Sequence, residues 1–387
     1  MDWEPWLRRW SEEWVRSSEP DELDPDVLCD RWLGFAPAAP EAVAAAEARL
    51  GVVLPPSYRE FLLTTDGWRD AGMFVWRMRD TGNLAWLRDV EPYWEEWEDL
   101  GYENATPSGE NRFTRGLMIS LETDAGVLFL DPGDVDDQGE WAAYSLFSWH
   151  AAPPVRFQSF TALMESLYAE FHQMRRPEGE TRDATDASVE QARIDALAGA
   201  ADDAGARLAQ AEEFGSELAT LLRVQLLFFQ DRSYETEMLL GRLLYSSLVA
   251  EGLFEGSLFA EEILPLLFVQ HARNASVGHN SLLQSALTSD RPDLLLPVAR
   301  HQARLRRGDH RLNYGNPEFD APVREALEQH AADPDALWEA VLDALPHWRP
   351  RSAAHIAPIV LLAEPLLART LTPERGHRLL ATPRGDR

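Results

Sequence analysis

The step Leu54-Pro55-Pro56 constrains this chain more than any other feature in it. Each proline fixes its own φ, removes a backbone donor and pushes the preceding residue toward extended conformation, so neither a helix nor a central strand can run through this point. Upstream, Val43, Glu47 and Leu50 fall on one helical face, and Gly51 stands where a helix end needs a residue free to take positive φ. Downstream, the prolines set the first turn of a second helix, along which Tyr58, Phe61, Leu62 and Thr65 recur at helical spacing until Asp66-Gly67 stops the run. The local expectation is two short helices meeting across a stiff joint, each with an apolar face to bury.

The residues around this joint suggest what covers those faces. Trp3, Trp6, Trp10 and Trp14 recur every three or four residues and predict a helix whose indole stripe packs on the domain's own sheet. Residues 19–26 read as an acidic loop and 27–33 as a short helix or strand. Phe74-Val75-Trp76 and Leu84-Ala85-Trp86-Leu87, separated by Asp80-Thr81-Gly82-Asn83, predict a hairpin. Pro92 opens a short helix with Tyr93, Trp94, Trp97 and Leu100 on one side and Glu91, Glu95, Glu96, Glu98 and Asp99 toward water. A second hairpin is expected from residues 117–121 and 127–130, then a loop over 131–140 and a strand over 141–147. Ser159 can cap a closing helix with Phe160, Leu163, Met164, Leu167, Tyr168 and Phe171 on its apolar face. Helices at both ends with antiparallel strands between them make an α+β domain.

The ordered positions Glu47, Leu50, Gly51, Leu54, Pro55, Tyr58, Phe61, Leu62 and Gly67 resemble the signature of the SUKH superfamily, which holds a fungal cell-wall assembly regulator and immunity proteins of bacterial polymorphic toxin systems. The resemblance covers about residues 1–175. It implies a SUKH-like antiparallel sheet flanked by helices, and a function of protein binding without catalysis. Of the signature residues, Leu50, Leu54, Tyr58, Phe61 and Leu62 read as core, so the resemblance carries over no interface positions.

Residues 175–187 are polar and without periodicity, and are read as a linker over 176–187. Beyond it the pattern is helical to the C-terminus, an all-α domain over 188–387. Helices are expected over 188–213, 216–229, 234–248, 260–271, 280–287, 294–306, 321–330, 335–345, 352–368 and 373–380, with a faint echo at about thirty residues that fits either αα-hairpin repeats or simple Ala/Leu richness. Asp333-Pro334 and Thr372-Pro373 are helix-start signals, and residues 307–320 form the longest stretch without periodicity.

Charge narrows the class of partner. The formal charge is −29, from 65 acids against 36 bases, every one of them arginine. Phosphate binding rests on clustered cations, so a nucleic-acid partner is not expected and a basic protein is. The surplus is concentrated: residues 1–184 hold 36 acids and 16 arginines, a net of −20, against −9 for the remainder. No run of 18 apolar residues or signal-type leader is present and Cys29 is the only cysteine, so a cytoplasmic protein without membrane or disulfide is expected.

No catalytic constellation emerges: there is no HExxH, no Gly-rich phosphate loop and no GxSxG elbow, and no cofactor is implied. His271 and His279 could meet as ligands, although a lone helical histidine is more often a surface or satisfied core residue. Asp131, Asp134, Asp136, Asp137 and Glu140 could surround Ca²⁺, but their spacing departs from the EF-hand loop; they also read as a solvated turn or an acidic contact surface, the reading preferred here. Together with Tyr93, Trp94, Glu95, Trp97 and Glu98 they are the expected partner-binding residues, aromatic anchors with a charged rim. By the resemblance the function is that of an immunity protein occluding a toxin; the further two hundred residues keep open an adaptor with a second partner.

Overall fold

The computed structural model describes residues 1–91, 93, 111–230, 232–249, 252–276, 281–287, 292–308 and 311–385. The chain divides into two compact units, one of residues 1–183 with 213–215, the other of 184–212 and 216–387.

In the first unit, helix α1 (Trp3–Arg16) carries the predicted tryptophan stripe, with Trp3, Trp10 and Trp14 buried and Trp6 half-buried. A short helix α2 (Pro25–Asp30) follows, capped by the Asp24 carboxylate accepting from Asp26 N–H. The Leu-Pro-Pro joint lies between α3 (Pro40–Leu50) and α4 (Pro56–Thr64). Gly51 ends α3 at φ +73°, where its N–H donates to Glu47 O at 2.8 Å. The Glu47 carboxylate accepts from Leu54 N–H at 3.1 Å, closing the joint on itself. Leu50, Leu54, Tyr58, Phe61 and Leu62 are buried, which is the core role expected of the signature.

These side chains pack against the first and last helices of the unit. The Trp3 ring lies 5.4 Å from Phe61 and 5.5 Å from Phe160, and Tyr58 lies 4.7 Å from Phe160. Trp14 meets Phe171 at 4.8 Å. Phe160 and Phe171 belong to the helix Phe160–Arg175, which Ser159 caps by accepting from Ala162 N–H, as its sequence predicts. Each fully buried Phe or Leu here contributes roughly 1.5–3 kcal/mol.

The strands depart from expectation in pairing more than in position. β1 (Val75–Met78) and β2 (Ala85–Trp86) do not form the predicted hairpin: β1 pairs antiparallel with β4 (Ser120–Thr123), and β2 with β3 (Leu117–Met118). The intervening Asp80 instead closes an Asx turn, its carboxylate accepting from the N–H groups of Gly82 and Asn83. A five-stranded antiparallel sheet runs β2-β3-β5-β6-β7, where β5 is Gly126–Val135, β6 Trp141–Phe147 and β7 Val155–Phe157. The second expected pairing does form, with Leu117 opposite Leu130 and Met118 opposite Phe129. β6 sits where expected, β7 has no counterpart among the expected strands, and β5 extends five residues into the stretch read as a loop. One face of the sheet, with Leu117, Leu128, Leu130 and Ala143, joins the helical core; Met118, Val127, Phe129, Ala142 and Tyr144 on the other face form a separate cluster with Leu87 and Phe113.

The linker read over residues 176–187 is corrected: residues 180–187 are the first turns of a helix, Glu180–Ala198. Its polar outer face hides the period, because burial falls on Val189, Ala192 and Ala196 farther along. In the second unit the described residues hold helices and connections and no strand. Helices Ala201–Glu213, Glu217–Leu227, Ser233–Leu243, Pro317–Gln329, Pro334–Ala344 and Pro373–Ala381 fall near the predicted spans, with Asp333 and Thr372 as N-caps. The single helix expected over 352–368 is instead a 3₁₀ segment, Ile359–Ala363, and a helix, Pro365–Thr370, because Pro358 and Pro365 interrupt the ladder. A π-helical turn, Phe259–Ile263, carries the fully buried Glu262, whose carboxylate accepts from Arg351 Nε at 2.8 Å and Val360 N–H at 2.8 Å.

Candidate partner-binding surface

The β5–β6 hairpin builds the acidic stretch, and its five acids have different fates. Asp131 is fully buried in β5 and forms a two-armed ion pair with Arg115, at 2.5 and 2.9 Å. Asp134 accepts from both arms of Arg156, each at 2.7 Å, and from Tyr144 OH at 2.7 Å. The Arg156 hydrogen bonds hold the Asp134 carboxyl below the usual carboxylate range against partial burial, with Tyr144 adding to them. Burial and Asp134 together push the Tyr144 phenol up to about 12.

The remaining three acids surround the turn. Asp136 accepts from the N–H groups of Gln138 and Glu140 and so folds the turn. Glu140 points back to α4, accepting from Ser57 N–H at 2.8 Å and Ser57 Oγ at 2.6 Å. It serves as a remote N-terminal cap where Pro55 can supply none, and its charge suits the helix dipole. Asp137 alone of the five is exposed and also without a hydrogen bond or ion pair among the described residues. The structure thus buries Asp131 in an ion pair, engages the partly exposed Asp134 and Glu140 with Arg156 and Ser57, and leaves Asp136 and Asp137 exposed. Among the described residues no three of His, Cys, Asp and Glu gather as a metal cage.

Of the predicted aromatic candidates, Tyr93 is described and stands 58 % exposed; Trp94, Glu95, Trp97 and Glu98, with the rest of the helix expected from Pro92, lie outside the described residues. So does His279, while His271 hydrogen-bonds Ser281 Oγ at 2.7 Å. In the stretch 307–320, Tyr314 is buried and donates to Glu364 at 3.2 Å, and helix Pro317–Gln329 already begins.

A second surface, unforeseen from the sequence, forms at the opposite end of the β5–β6 hairpin, about 30 Å from the acidic turn for a ten-residue strand. There Phe74 lies 4.9 Å from Trp149 and 6.1 Å from Phe147, and Phe147 lies 5.4 Å from Trp149. Phe74 and Phe147 are half-buried and Trp149 is 47 % exposed. The backbone creates this meeting: Asp124 N–H donates to Phe74 O at 2.9 Å, and Gly126 pairs with Phe147. Residues more than seventy positions apart therefore join one patch, and the only signal in the sequence is that each lies at a strand end beside a turn.

The segments that hold these rings also carry carboxylates. Asp124 and Glu122 are exposed, and His150 sits 5.0 Å from Trp149. Glu170, from the helix Phe160–Arg175, accepts from Met73 N–H at 3.2 Å. Burial raises the Glu170 carboxyl, against the opposing pull of the Met73 N–H and His150. Asp70, in left-handed conformation at φ +50°, is pushed up to about 6 by burial, with Arg175 and Arg69 opposing.

Residues 37–166 match the model of the SMI1 / KNR4 family (SUKH-1), a narrower span than the resemblance over residues 1–175. No curated protein and no solved structure matches the chain. Among the described residues no helix is long and apolar enough to cross a membrane.

Proposed function

From a chain that carries a SUKH-superfamily domain in residues 37–166, we propose a non-catalytic protein-binding protein, an immunity protein that neutralises a basic bacterial toxin by covering its active surface. The SUKH family includes immunity proteins, which supports the class. The observation that carries the reading further is the charge. Residues 1–184 hold a net of −20, and within them Glu122, Asp124 and Asp137 are exposed without an ion-pair partner among the described residues. A dense negative field speeds capture of a basic partner and weakens with salt.

The test is capture from a lysate of the source cells with the whole chain as bait at low and raised salt, followed by co-expression with the captured protein. One basic protein that is released by salt, and whose toxicity the chain relieves, supports the reading. A captured set free of basic proteins abandons it.

An adaptor role is the second reading, and one observation favours it. In the second unit, helix Ser233–Leu243 buries Leu239, Leu240 and Leu243 while Tyr234 and Met238 stand 83 % and 49 % exposed. That unit lies outside the family match, and an exposed apolar pair one helical turn apart suits a separate partner. Substituting Tyr234 and Met238 by serine would remove one captured partner and spare another if the chain is an adaptor.

A further inference from the structure

The patch at Phe74, Phe147 and Trp149 is specific enough to name what it receives. Its rings are inclined to one another by 36° to 63°, packed tilted and edge-to-face instead of stacked flat. The Trp149 indole N–H donates to Asp124 O at 3.0 Å, which fixes the plane of the most exposed ring before anything binds. Aromatic faces carry negative potential and attract cations.

The carboxylates supply the matching charge. Glu170 is half-buried, is held by the N–H of the residue preceding Phe74, and makes no direct ion pair among the described residues, although the charge of His150 reaches it. Asp124 and Glu122 are likewise without a cationic partner among them. A partly desolvated carboxylate left without a counter-ion costs free energy that an incoming cation recovers. Elsewhere in this unit the same combination is already satisfied from within: Arg69 lies 3.9 Å over the Phe35 ring and 3.4 Å from Asp24. The Phe74 patch has the rings and the acids, and no described arginine lies over them.

We propose that Phe74, Phe147 and Trp149, with Glu170 and Asp124 as counter-charges, receive one arginine side chain of a basic protein partner. The flat guanidinium stacks on an indole face while its N–H groups reach a carboxylate, which a compact ammonium cannot do as well. This rests on the reading of the chain as a binder of a basic protein and supplies the anchor for it.

The test is an NMR titration of the full chain labelled at the indole nitrogens, with the Trp149 signal identified by its loss in Trp149→Phe. The probes are a short acetylated peptide carrying two arginines, the same peptide with citrulline in their place, and tetramethylammonium. The arginine peptide is expected to move the Trp149 signal to saturation, and, with affinity read by calorimetry, Trp149→Leu or Glu170→Gln to weaken its binding by roughly five- to thirty-fold. Equal binding of the citrulline peptide, an unmoved Trp149 signal, or unchanged affinity in both variants would overturn the proposal, as would preference for tetramethylammonium over the arginine peptide. The two readings fail separately. A basic protein captured undiminished by Trp149→Leu and Glu170→Gln removes the arginine site and leaves the immunity reading; arginine-peptide binding at Trp149 with no basic protein captured does the reverse.

Discussion

Arg115 reaches across Gly133 to close both arms of its guanidinium on the buried carboxylate of Asp131, Nε to Oδ1 at 2.5 Å and Nη2 to Oδ2 at 2.9 Å. Asp131 is also braced by Gly133 N–H at 2.8 Å. A residue that in sequence belongs to an acidic run is, in the fold, half of an internal ion pair.

Removing the arginine should therefore destabilise the first unit. Arg115→Leu leaves a buried, unpaired carboxylate and is expected to cost about 3–5 kcal/mol, whereas Arg115→Leu with Asp131→Leu should recover most of it. Tryptophan fluorescence reports this unit, because 12 of the 14 tryptophans lie at or before Trp149. An unfolding midpoint unmoved by Arg115→Leu would contradict the pairing.

Gly133 is required by the path of that guanidinium. A Cβ built there would run into Arg115 Cζ, and the arginine is pinned at its far end and cannot swing aside. Gly133→Ala should cost about 1–3 kcal/mol in the native background and close to nothing once Arg115 is leucine. Additive losses in the double variant would show that the glycine serves the backbone instead.

The acids of the β5–β6 turn should separate into structural and surface roles. Glu140→Ala removes the cap on α4 and is expected to cost about 1 kcal/mol of stability. Asp137→Asn should leave the unfolding midpoint in place and slow association with a basic partner at low salt, since it removes an exposed rim charge. Stopped-flow mixing and denaturant titration of both variants test the division; a stability loss at Asp137 would refute it.

Two acids should give opposite pH dependences. Burial raises the Glu13 carboxyl, but hydrogen bonds from His172 at 3.0 Å, Tyr168 at 2.5 Å and Thr181 N–H at 3.1 Å outweigh it and hold the group below its ordinary value of 4.5. A depressed acid contributes stability above the unfolded value, and that stability is lost as pH falls below 4.5 toward the folded value. Asp70 has the reverse sign: raised from 3.8 to about 6, it penalises the fold once ionised, so stability rises as pH falls through 6 toward 3.8. Asp70→Asn, which suits the left-handed backbone, should raise the melting temperature at about pH 8 and change it little at about pH 4; Glu13→Gln should flatten the acid limb. A pH-independent gain from Asp70→Asn would count against burial as the cause.

The features legible in the sequence are those that depend on near neighbours along the chain. The tryptophan stripe, the Leu-Pro-Pro joint, the caps at Ser159, Asp333 and Thr372 and the strand Trp141–Phe147 all follow from local periodicity and backbone chemistry, and the structure has them. Strand pairing is not legible in the same way. The alternation of β1 and β2 is equally compatible with a hairpin, and the choice of β4 and β3 as partners rests on hydrogen bonds to residues some thirty to fifty positions away.

The candidate surface divides along the same line. Charge and composition belong to the chain before it folds, so the acid-rich, aromatic character of the first half can be read without any structure. Which acids remain available depends on the tertiary structure alone: Asp131, Asp134 and Glu140 are taken by Arg115, Arg156 and Ser57, while Asp124 and Glu170, in the segments that hold Phe74 and Trp149, make no direct ion pair among the described residues. A carboxylate's availability is set by what lies within a few ångströms of it, and those neighbours come from distant parts of the chain.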